Sequence, residues 1–258
     1  MRIARFTTGD EPAFGVVAEK DGQQVIMGLV GDPLYTEIRP SGKILPLEDV
    51  RLLAPVIPRS KVVCVGDNYA PAGEEKPAEP GAPLFFLKPN TAVIGPQDPI
   101  QLPAYSQDVR AEVELAVVIK RLAKNLAPEQ VSDYVLGYTV AGDLTACDAQ
   151  AGESQWVRAK AFDTSCPLGP WIETDFAPAE DNAMRCLVDD QLAQQGSTAN
   201  ALRSVENLIS EISAVMTLLP GDVVLTGTPA PAAPLREGQR AALSIAGIGT
   251  LENPVVRR

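Results

Sequence analysis

The chain has 258 residues, enough for one large domain or for a large domain with a smaller one, and 45% of them are hydrophobic, as in ordinary globular proteins. Its formal net charge of −11, with no run of basic residues, argues against nucleic acid and against anionic membranes, so a small molecule is the expected partner. The N-terminal residues lack the apolar segment of a signal peptide and no run of 18 apolar residues is present, so the sequence predicts a cytoplasmic protein that does not span a membrane.

Histidine is absent from the whole chain. This removes the commonest general base, the Ser-His-Asp arrangement and every histidine-ligated metal site. The cysteines are widely spaced with no C-x-x-C pair, which predicts free thiols in a reducing compartment; they are Cys64, Cys147, Cys166 and Cys186. Chemistry is therefore expected from carboxylates, lysine, cysteine, tyrosine or a metal-bound water.

In chain order, residues 1–57 predict a small β-rich N-terminal domain, because apolar or alternating runs at 2–7, 13–18 and 24–29 are separated by glycine and aspartate turn signals. Two prolines then lead into a larger domain, which we place at residues 58–258.

The larger domain begins with short apolar strands, and the stretch 156–172, rich in turn formers, is expected to be a loop. Apolar residues at helical spacing predict a helix over Ser204 to Leu218 with Ser204 as its N-cap. A strand at 223–225 runs into the turn 226–229, and a hairpin is expected at 241–254. The predicted class is mostly β with short helices.

The most informative stretch is Asp108 to Asp148. Glu112 and Glu114 are two residues apart at the start of an apolar run, so both carboxylates point to one face of a strand, and a strand ending at Asp143 would bring a third. Three carboxylates without a base favour a hard divalent cation such as Mg²⁺ or Mn²⁺. From spacing alone, a solvated strand face with a loop aspartate is the favoured alternative, because charges usually lie in water.

The segments, taken together, resemble the fumarylacetoacetate hydrolase family over about residues 60 to 256. The matching pieces, in order, are Cys64-Val-Gly66-x-Asn68-Tyr69, Phe86-x-Lys88-Pro89, Glu112-x-Glu114-Leu-Ala-Val-Val-Ile, Gly137-Tyr-Thr with Asp143, Gln155-Trp156-x-Arg158-Ala159-Lys160, Phe162-Asp163-Thr164, Cys166-Pro-x-Gly-Pro-Trp171, Met216-Thr-Leu-x-Pro-Gly-Asp222 and Leu225-Thr-Gly-Thr228-Pro229. The resemblance implies a mixed β-roll of packed sheets and a homodimer.

The resemblance also implies that Glu112, Glu114 and Asp143 bind Mg²⁺ or Mn²⁺, and that Lys160 and Thr228 line a substrate pocket with Gln150 nearby. A divalent ion chelating a 2-oxo or β-dicarbonyl acid would stabilise the enolate of a tautomerase, decarboxylase or hydrolase reaction. A surface lysine is the alternative for Lys160, and a turn residue capping its own backbone is the alternative for Thr228.

The sequence departs from the family pattern around this pocket. Ala72 stands where the family has the histidine of its lid, while Glu75 keeps the position of the paired glutamate. Gly142 replaces an asparagine, and Cys147 replaces an arginine expected to anchor the substrate carboxylate. Residues 230–234 replace a glycine-rich turn. Glu75 or metal-bound water is then left to move the proton, with Lys160 supporting the enolate.

Three hypotheses follow from these departures. The first is a metal-dependent enzyme that acts through an enolate, where tautomerisation or decarboxylation tolerates the loss of the histidine better than hydrolysis does. The second is an inactive binding protein that keeps the fold. The third is a lyase or cyclase for a less acidic substrate, since Cys147 makes the site less cationic than an arginine would. Cys147 as a nucleophile ranks below a packing role, because no histidine lowers its pKa.

Overall fold

Short strands account for most of the regular structure in the computed structural model, which describes residues 1–9, 11–70, 76–77 and 81–257. The strands are β1 (Arg2–Thr7), β2 (Ala13–Lys20), β3 (Gln23–Leu29), β4 (Pro40–Pro46), β5 (Arg51–Leu53), β6 (Val62–Gly66), β7 (Leu84–Lys88), β8 (Val93–Ile94), β9 (Ile100–Leu102), β10 (Val109–Ile119), β11 (Val135–Ala146), β12 (Cys166–Glu173), β13 (Ala183–Val188), β14 (Gln191–Ser197), β15 (Val223–Leu225), β16 (Ala233–Leu235), β17 (Arg240–Ile245) and β18 (Gly249–Arg257). The helices are α1 (Cys147–Gly152), α2 (Val157–Lys160) and α3 (Val205–Val215), with 3₁₀ turns at Leu47–Asp49, Asn90–Ala92, Pro128–Tyr134 and Thr198–Asn200. The mostly β class predicted from the sequence is confirmed.

Within the described residues the strands form two mixed sheets. The larger has the order β4-β3-β2-β1-β12-β11-β10-β15-β6-β7, with β16 beside β10, β5 beside β1 and β8 beside β12. The smaller has the order β14-β13-β17-β18-β9. Most pairs are antiparallel, whereas β6 with β15, β8 with β12 and β9 with β18 are parallel. Strand β10 therefore lies inside the larger sheet with neighbours along both edges.

Both faces of β10 are buried. Val113, Leu115 and Val117 belong to the main core, which also contains residues of the smaller sheet and of α3. Ala116 and Val118 belong to a second core on the opposite face. Because side chains alternate along a strand, Glu112 and Glu114 share the face of Ala116 and Val118 rather than a solvated face.

The N-terminal strands continue the larger sheet. Strand β1 pairs with β12 through Arg2 opposite Glu173 and Ile3 opposite Ile172, and β2 to β4 extend the sheet from there. The first 57 residues and the rest of the chain thus contribute to one sheet. The domain division at residue 57 stays a prediction.

The stretch 156–172, expected to be a loop, instead contains α2 and the buried strand β12. Pro167, Gly169 and Pro170 are responsible for the wrong prediction, because they indicate turns in a sequence. In β12 they occur where the pairing with β11 is irregular, and the Gly169–Pro170 peptide bond is cis. A strand can therefore contain prolines and a glycine where its hydrogen-bonded pairing with the neighbouring strand is irregular.

The main helix is shorter than predicted but begins where expected. Ser204 is the N-cap of α3, and its hydroxyl oxygen accepts a hydrogen bond from the backbone N–H of Asn207. The helix ends at Val215, and its apolar face packs into the main core. Among the described residues, no helix has the length and apolar character needed to cross a membrane.

Candidate metal centre

The register of β10 and β11 brings the three predicted carboxylates together. Glu112 lies directly opposite Asp143, and Glu114 lies two residues further along β10 on the same face. One oxygen from each carboxylate lies within 4.8 Å of the others. Strand β11 does not end at Asp143 but continues to Ala146, so the aspartate is a strand residue. Glu114 is 2% exposed and Asp143 1%, which excludes a solvated face for these two residues.

A short segment after β15 holds Glu114 in place. Thr226 and Thr228 donate their hydroxyl hydrogens to the carbonyl oxygens of Leu115 and Val113, and between them the N–H of Gly227 donates to Glu114 Oε2 at 2.6 Å. Gly227 has φ +95°, and a Cβ there would lie 2.9 Å from Cβ of Asn68. Glycine is therefore required at this position both by backbone conformation and by space.

Two buried lysines compensate the carboxylates. Lys160, at the end of α2, donates from Nζ to Glu112 Oε2 at 2.8 Å and to Asp143 Oδ2 at 2.6 Å. Lys88, at the end of β7 and 0% exposed, places Nζ 2.7 Å from Asp143 Oδ1. Burying three carboxylates without such partners would be costly.

The hydrogen bonds of Lys88 go elsewhere. Its ammonium donates to the carbonyl oxygens of Leu144, Lys160 and Ser165 and to the Ser165 hydroxyl. With Asp143, Lys88 forms the ion pair at 2.7 Å described above. Lys88 thus connects β7 to the end of α2 and to strand β11, which carries Asp143.

The protonation of the cluster follows from burial and from the lysines. Burial, with the neighbouring Asp143 charge, raises the pKa of Glu112 to about 7 against the opposing effect of Lys160. Burial, followed by the charges of Asp143 and Glu112, raises the pKa of Glu114. Burial alone would raise the pKa of Asp143, but the ammonium groups of Lys160 and Lys88 outweigh it and lower that pKa. Burial would lower the pKa of Lys160, and the carboxylates of Asp143 and Glu112 raise it instead.

The cluster opens into a cleft of about 310 Å³. Its described lining consists of Val65, Gly66, Asp67, Tyr69, Phe86, Glu112, Glu114, Asp143, Gln150, Trp156, Lys160, Thr228, Pro229, Ala230 and Ala232. The predicted residues Gln150, Lys160 and Thr228 thus share one cleft with the three carboxylates. Lys160, 4% exposed, is not a surface lysine. Cys147 does not line this cleft, and Glu75 lies outside the described residues.

Thr228 and Cys147 both have structural contacts. The Thr228 hydroxyl donates to Val113 O at 2.8 Å and accepts from Gln194 Nε2 at 2.9 Å, so it joins the segment after β15 to β10 and β14. The Cys147 thiol lies 3.8 Å from the carbonyl oxygen of Thr145, and burial raises its pKa. Their roles toward a substrate stay predictions.

Sequence reasoning assigned no role to Lys88 or to the aromatic pair Phe86 and Trp156. The two rings meet edge to face with centroids 5.6 Å apart, and Lys160 Nζ lies 4.9 Å from the centre of the Phe86 ring. The segment Phe86-x-Lys88-Pro89 could have indicated a buried lysine, because a solvated lysine is not expected within an apolar strand.

A second cavity, of about 200 Å³, shares Tyr69 with the cleft. Lys76 and Arg203 contribute to its lining, which contains none of the three clustered carboxylates. Lys76 Nζ donates to the carbonyl oxygens of Ala199 and Ala201 at 2.6 and 2.9 Å. Its cation is therefore engaged with the backbone, and the chemistry is better sought in the cleft.

The donor set fits a hard divalent cation. Apart from its ion pair with Lys88, the buried Asp143 Oδ1 has no partner among the described residues, so it keeps a lone pair for a cation. Lys160 and Gly227 reach only Oε2 of the two glutamates. Carboxylate oxygens without sulfur or imidazole are the ligands that Mg²⁺ and Mn²⁺ prefer.

Fold and cleft together define a mixed-β protein with a candidate carboxylate site for a divalent cation. A family profile described as "Fumarylacetoacetate (FAA) hydrolase C-terminal" matches residues 61–256, and one described as "Rv2993c-like, N-terminal" matches residues 1–55. The chain belongs to the fumarylacetoacetate hydrolase family, as the resemblance implied.

Relatives of the chain carry names of several activities. A crystal structure titled 5-carboxymethyl-2-hydroxymuconate delta-isomerase from Mycobacterium smegmatis is 44% identical, covers 100% of both chains and has a TM-score of 0.93. A mitochondrial oxaloacetate tautomerase of Xenopus laevis is 35% identical over 99% of this chain and 90% of its own length. A maleylpyruvate hydrolase from Sphingobium sp. SYK-6, solved with manganese(II) and pyruvate, is 30% identical over 100% of this chain and 99% of its own, with a TM-score of 0.80.

Proposed function

We propose that the protein is a divalent-metal-dependent tautomerase that interconverts the keto and enol forms of a 2-oxo acid. The observation that carries this proposal is the buried cluster of Glu112, Glu114 and Asp143, which opens into a cleft beside Lys160. These carboxylates would hold Mg²⁺ or Mn²⁺. When bound, such a cation supplies a Lewis acid for the oxygens of a 2-oxo acid.

The chain's own residues provide orientation and charge. Lys160 uses two of its three N–H groups on Glu112 and Asp143 and has one left for a substrate oxygen. Gln150 and Thr228 line the same cleft and offer polar groups for the substrate. Glu75 is the proposed proton-transfer group, on the basis of its position in the sequence pattern. Cys147, which replaces the arginine of that pattern, does not line the cleft and is given no substrate contact in this proposal.

Tautomerisation is favoured over hydrolysis by the composition of the chain. Carbon–carbon bond hydrolysis needs an activated water, and the chain contains no histidine to serve as its base. A keto–enol exchange needs one proton to leave carbon and one to reach oxygen, with no nucleophile. The names of the relatives, which include a tautomerase and an isomerase, support the same class.

The test compares metal binding with turnover. We expect Mg²⁺ or Mn²⁺ to raise the melting temperature of the chelator-treated protein, and Glu114→Gln to remove this rise together with metal-dependent conversion of enol oxaloacetate or enol phenylpyruvate, followed by ultraviolet absorbance. Glu114→Gln keeps an acceptor for the Gly227 N–H, so the fold should tolerate it.

The matched control is Glu173→Gln. Glu173 is another buried glutamate, paired with the amino terminus and absent from the described cleft lining, so its replacement should leave the metal-induced rise intact. Metal binding without conversion of either 2-oxo acid would favour an inactive binding protein. Release of carbon dioxide in step with conversion of oxaloacetate would instead identify a decarboxylase. A homodimer, also part of the proposal, is measured by sedimentation equilibrium.

A further inference from the structure

We propose that the cleft selects a 2-oxo acid with one negative charge and a flat apolar tail over a dicarboxylate such as oxaloacetate. This selectivity rests on the proposed function, since it concerns the substrate of the same site. Two independent properties of the cleft support it: its charge and the composition of one wall.

The cleft is poor in cations. Its described lining contains four carboxylates, those of Asp67, Glu112, Glu114 and Asp143, against the single ammonium of Lys160. With the buried Lys88 beside Asp143 included, a bound divalent cation would bring the charge of this cluster to zero and leave no net positive charge. One carboxylate of a substrate can bind to the cation and accept the remaining N–H of Lys160. A second carboxylate meets no free positive charge among the described lining residues.

The sequence between Ala70 and Gly81 adds no free cation to this balance. Residues 71–75 and 78–80 contain no lysine or arginine, and their only charged residues are Glu74, Glu75 and Glu79. Lys76, which lies between these two segments, is bound to two backbone carbonyl oxygens. A second substrate carboxylate would therefore lose hydration without gaining an ion pair in the cleft. The carboxylate already bound at the cation would also repel it, because like charges in a partly desolvated cleft interact strongly.

The second property is the apolar part of the lining, which we call the apolar wall and which includes two aromatic rings. It consists of Val65, Phe86, Trp156, Pro229, Ala230 and Ala232. The Trp156 ring is fixed edge to face against Phe86, so a flat surface is already present before a ligand binds. An aromatic or unsaturated tail gains contact area and ring contacts on such a surface, while a short charged tail gains neither.

The experiment separates charge from shape with three substrates for the manganese-loaded protein. Oxaloacetate carries two negative charges, its 4-ethyl ester carries one, and phenylpyruvate carries one with an aromatic tail. We expect kcat/KM for enol-to-keto conversion to be about tenfold higher for the ester and for phenylpyruvate than for oxaloacetate. Equal or faster conversion of oxaloacetate overturns the proposal.

The contribution of the apolar wall to selectivity is tested by replacing each of the two tryptophans of the chain. Trp156→Ala should lower kcat/KM for phenylpyruvate about tenfold and affect the ester less than about threefold. The control is Trp171→Ala, because Trp171 does not line the cleft and its indole N–H donates to Ile248 O. Equal losses for both substrates in Trp156→Ala would contradict a role in selectivity.

A cation added to the apolar wall provides the reverse test. Ala232→Lys should raise kcat/KM for oxaloacetate relative to its ester by about fivefold, and the uncharged Ala232→Gln should not. Calorimetric dissociation constants of phenylpyruvate and oxaloacetate on the manganese-loaded protein decide the selectivity even where no conversion is seen. Absence of conversion with tighter binding of phenylpyruvate would thus refute the proposed function and support the selectivity, while tighter binding of oxaloacetate would refute the selectivity alone.

Discussion

Lys88 is a charged residue in a fully buried environment. Its ammonium contacts Asp143 and donates to four other oxygen atoms of Leu144, Lys160 and Ser165. Removing one partner of a buried ion pair costs more than the pair itself contributes, because the other charge is left uncompensated. Lys88 is therefore a determinant of stability as well as a neighbour of the candidate metal centre.

Lys88→Met should lower the free energy of unfolding by about 3 kcal/mol, since Asp143 and three carbonyl oxygens lose their buried cation. The same variant should show a larger metal-induced rise in melting temperature than the unmodified chain. The reason is that an ammonium 2.7 Å from Asp143 Oδ1 repels a cation bound to the same carboxylate. Urea unfolding and differential scanning calorimetry with and without Mn²⁺ measure the two effects.

Lys61→Met is the matched control. Lys61 Nζ lies 2.5 Å from the fully buried Asp222, in an ion pair outside the cleft, so its loss should destabilise the protein without changing the metal response. A smaller metal-induced rise in Lys88→Met would mean that Lys88 serves mainly to hold Asp143 in place rather than to oppose the cation.

At the scale of elements, the pair of β10 and β11 decides where the carboxylates lie and how tightly they are packed. Gly142, between Ala141 and Asp143, faces the smaller sheet, and a Cβ there would lie 2.8 Å from Cδ1 of Leu243 and 3.3 Å from Cδ of Pro167. Leu243 is buried in the main core. An asparagine, as in the family pattern, has no room at this position unless Leu243 moves.

Gly142→Ala should therefore lower the free energy of unfolding by about 1–3 kcal/mol through overpacking. Gly152→Ala, at the end of α1, is the control, because a Cβ there meets nothing within 4 Å and alanine favours a helix. We expect it to be neutral or slightly stabilising in the same urea titration. Equal stability of Gly142→Ala and the unmodified chain would show that Leu243 yields without cost.

The sequence predicted the strands and the shared face of Glu112 and Glu114, because period-two alternation is a local property. It did not predict that Asp143 lies opposite Glu112, since register depends on the whole hairpin rather than on either strand. Strand β12 was missed because its prolines and glycine favour turns locally, although tertiary pairing overrides them. Lys88 was missed because an isolated lysine is solvated by default, and only its neighbours in space show otherwise.

At the scale of the whole molecule, the buried cluster links folding to pH. Glu112, with a pKa of about 7, and Glu114, with a raised pKa, hold protons in the folded chain at pH values where the unfolded chain has released them. Their contribution to stability is thus present at low pH and is lost as pH rises toward and through 7. Asp143, with a lowered pKa, acts in the opposite sense, and its contribution is lost only as pH falls below about 4.

Glu112 should consequently cost the chelator-treated protein about 2–3 kcal/mol of unfolding free energy between pH 5 and pH 8, and Glu114 should add to this loss. The rise in melting temperature caused by Mg²⁺ should grow over the same interval, because ligand carboxylates must be deprotonated to bind. Urea titrations at four pH values measure the slope, and Glu112→Gln should reduce it. A stability that increases from pH 5 to pH 8 would contradict the assignment of raised pKa values to the two glutamates.

The placement of the carboxylates on two interior strands has a consequence for how such proteins diverge. The three acidic residues are fixed by the pairing of β10 with β11, whereas Pro229, Ala230 and Ala232 come from the connection between β15 and β16. Substitutions in that connection can change what enters the cleft without disturbing the pairing beneath it. The substrate of a protein with this fold can in this way change while the three carboxylates keep their places.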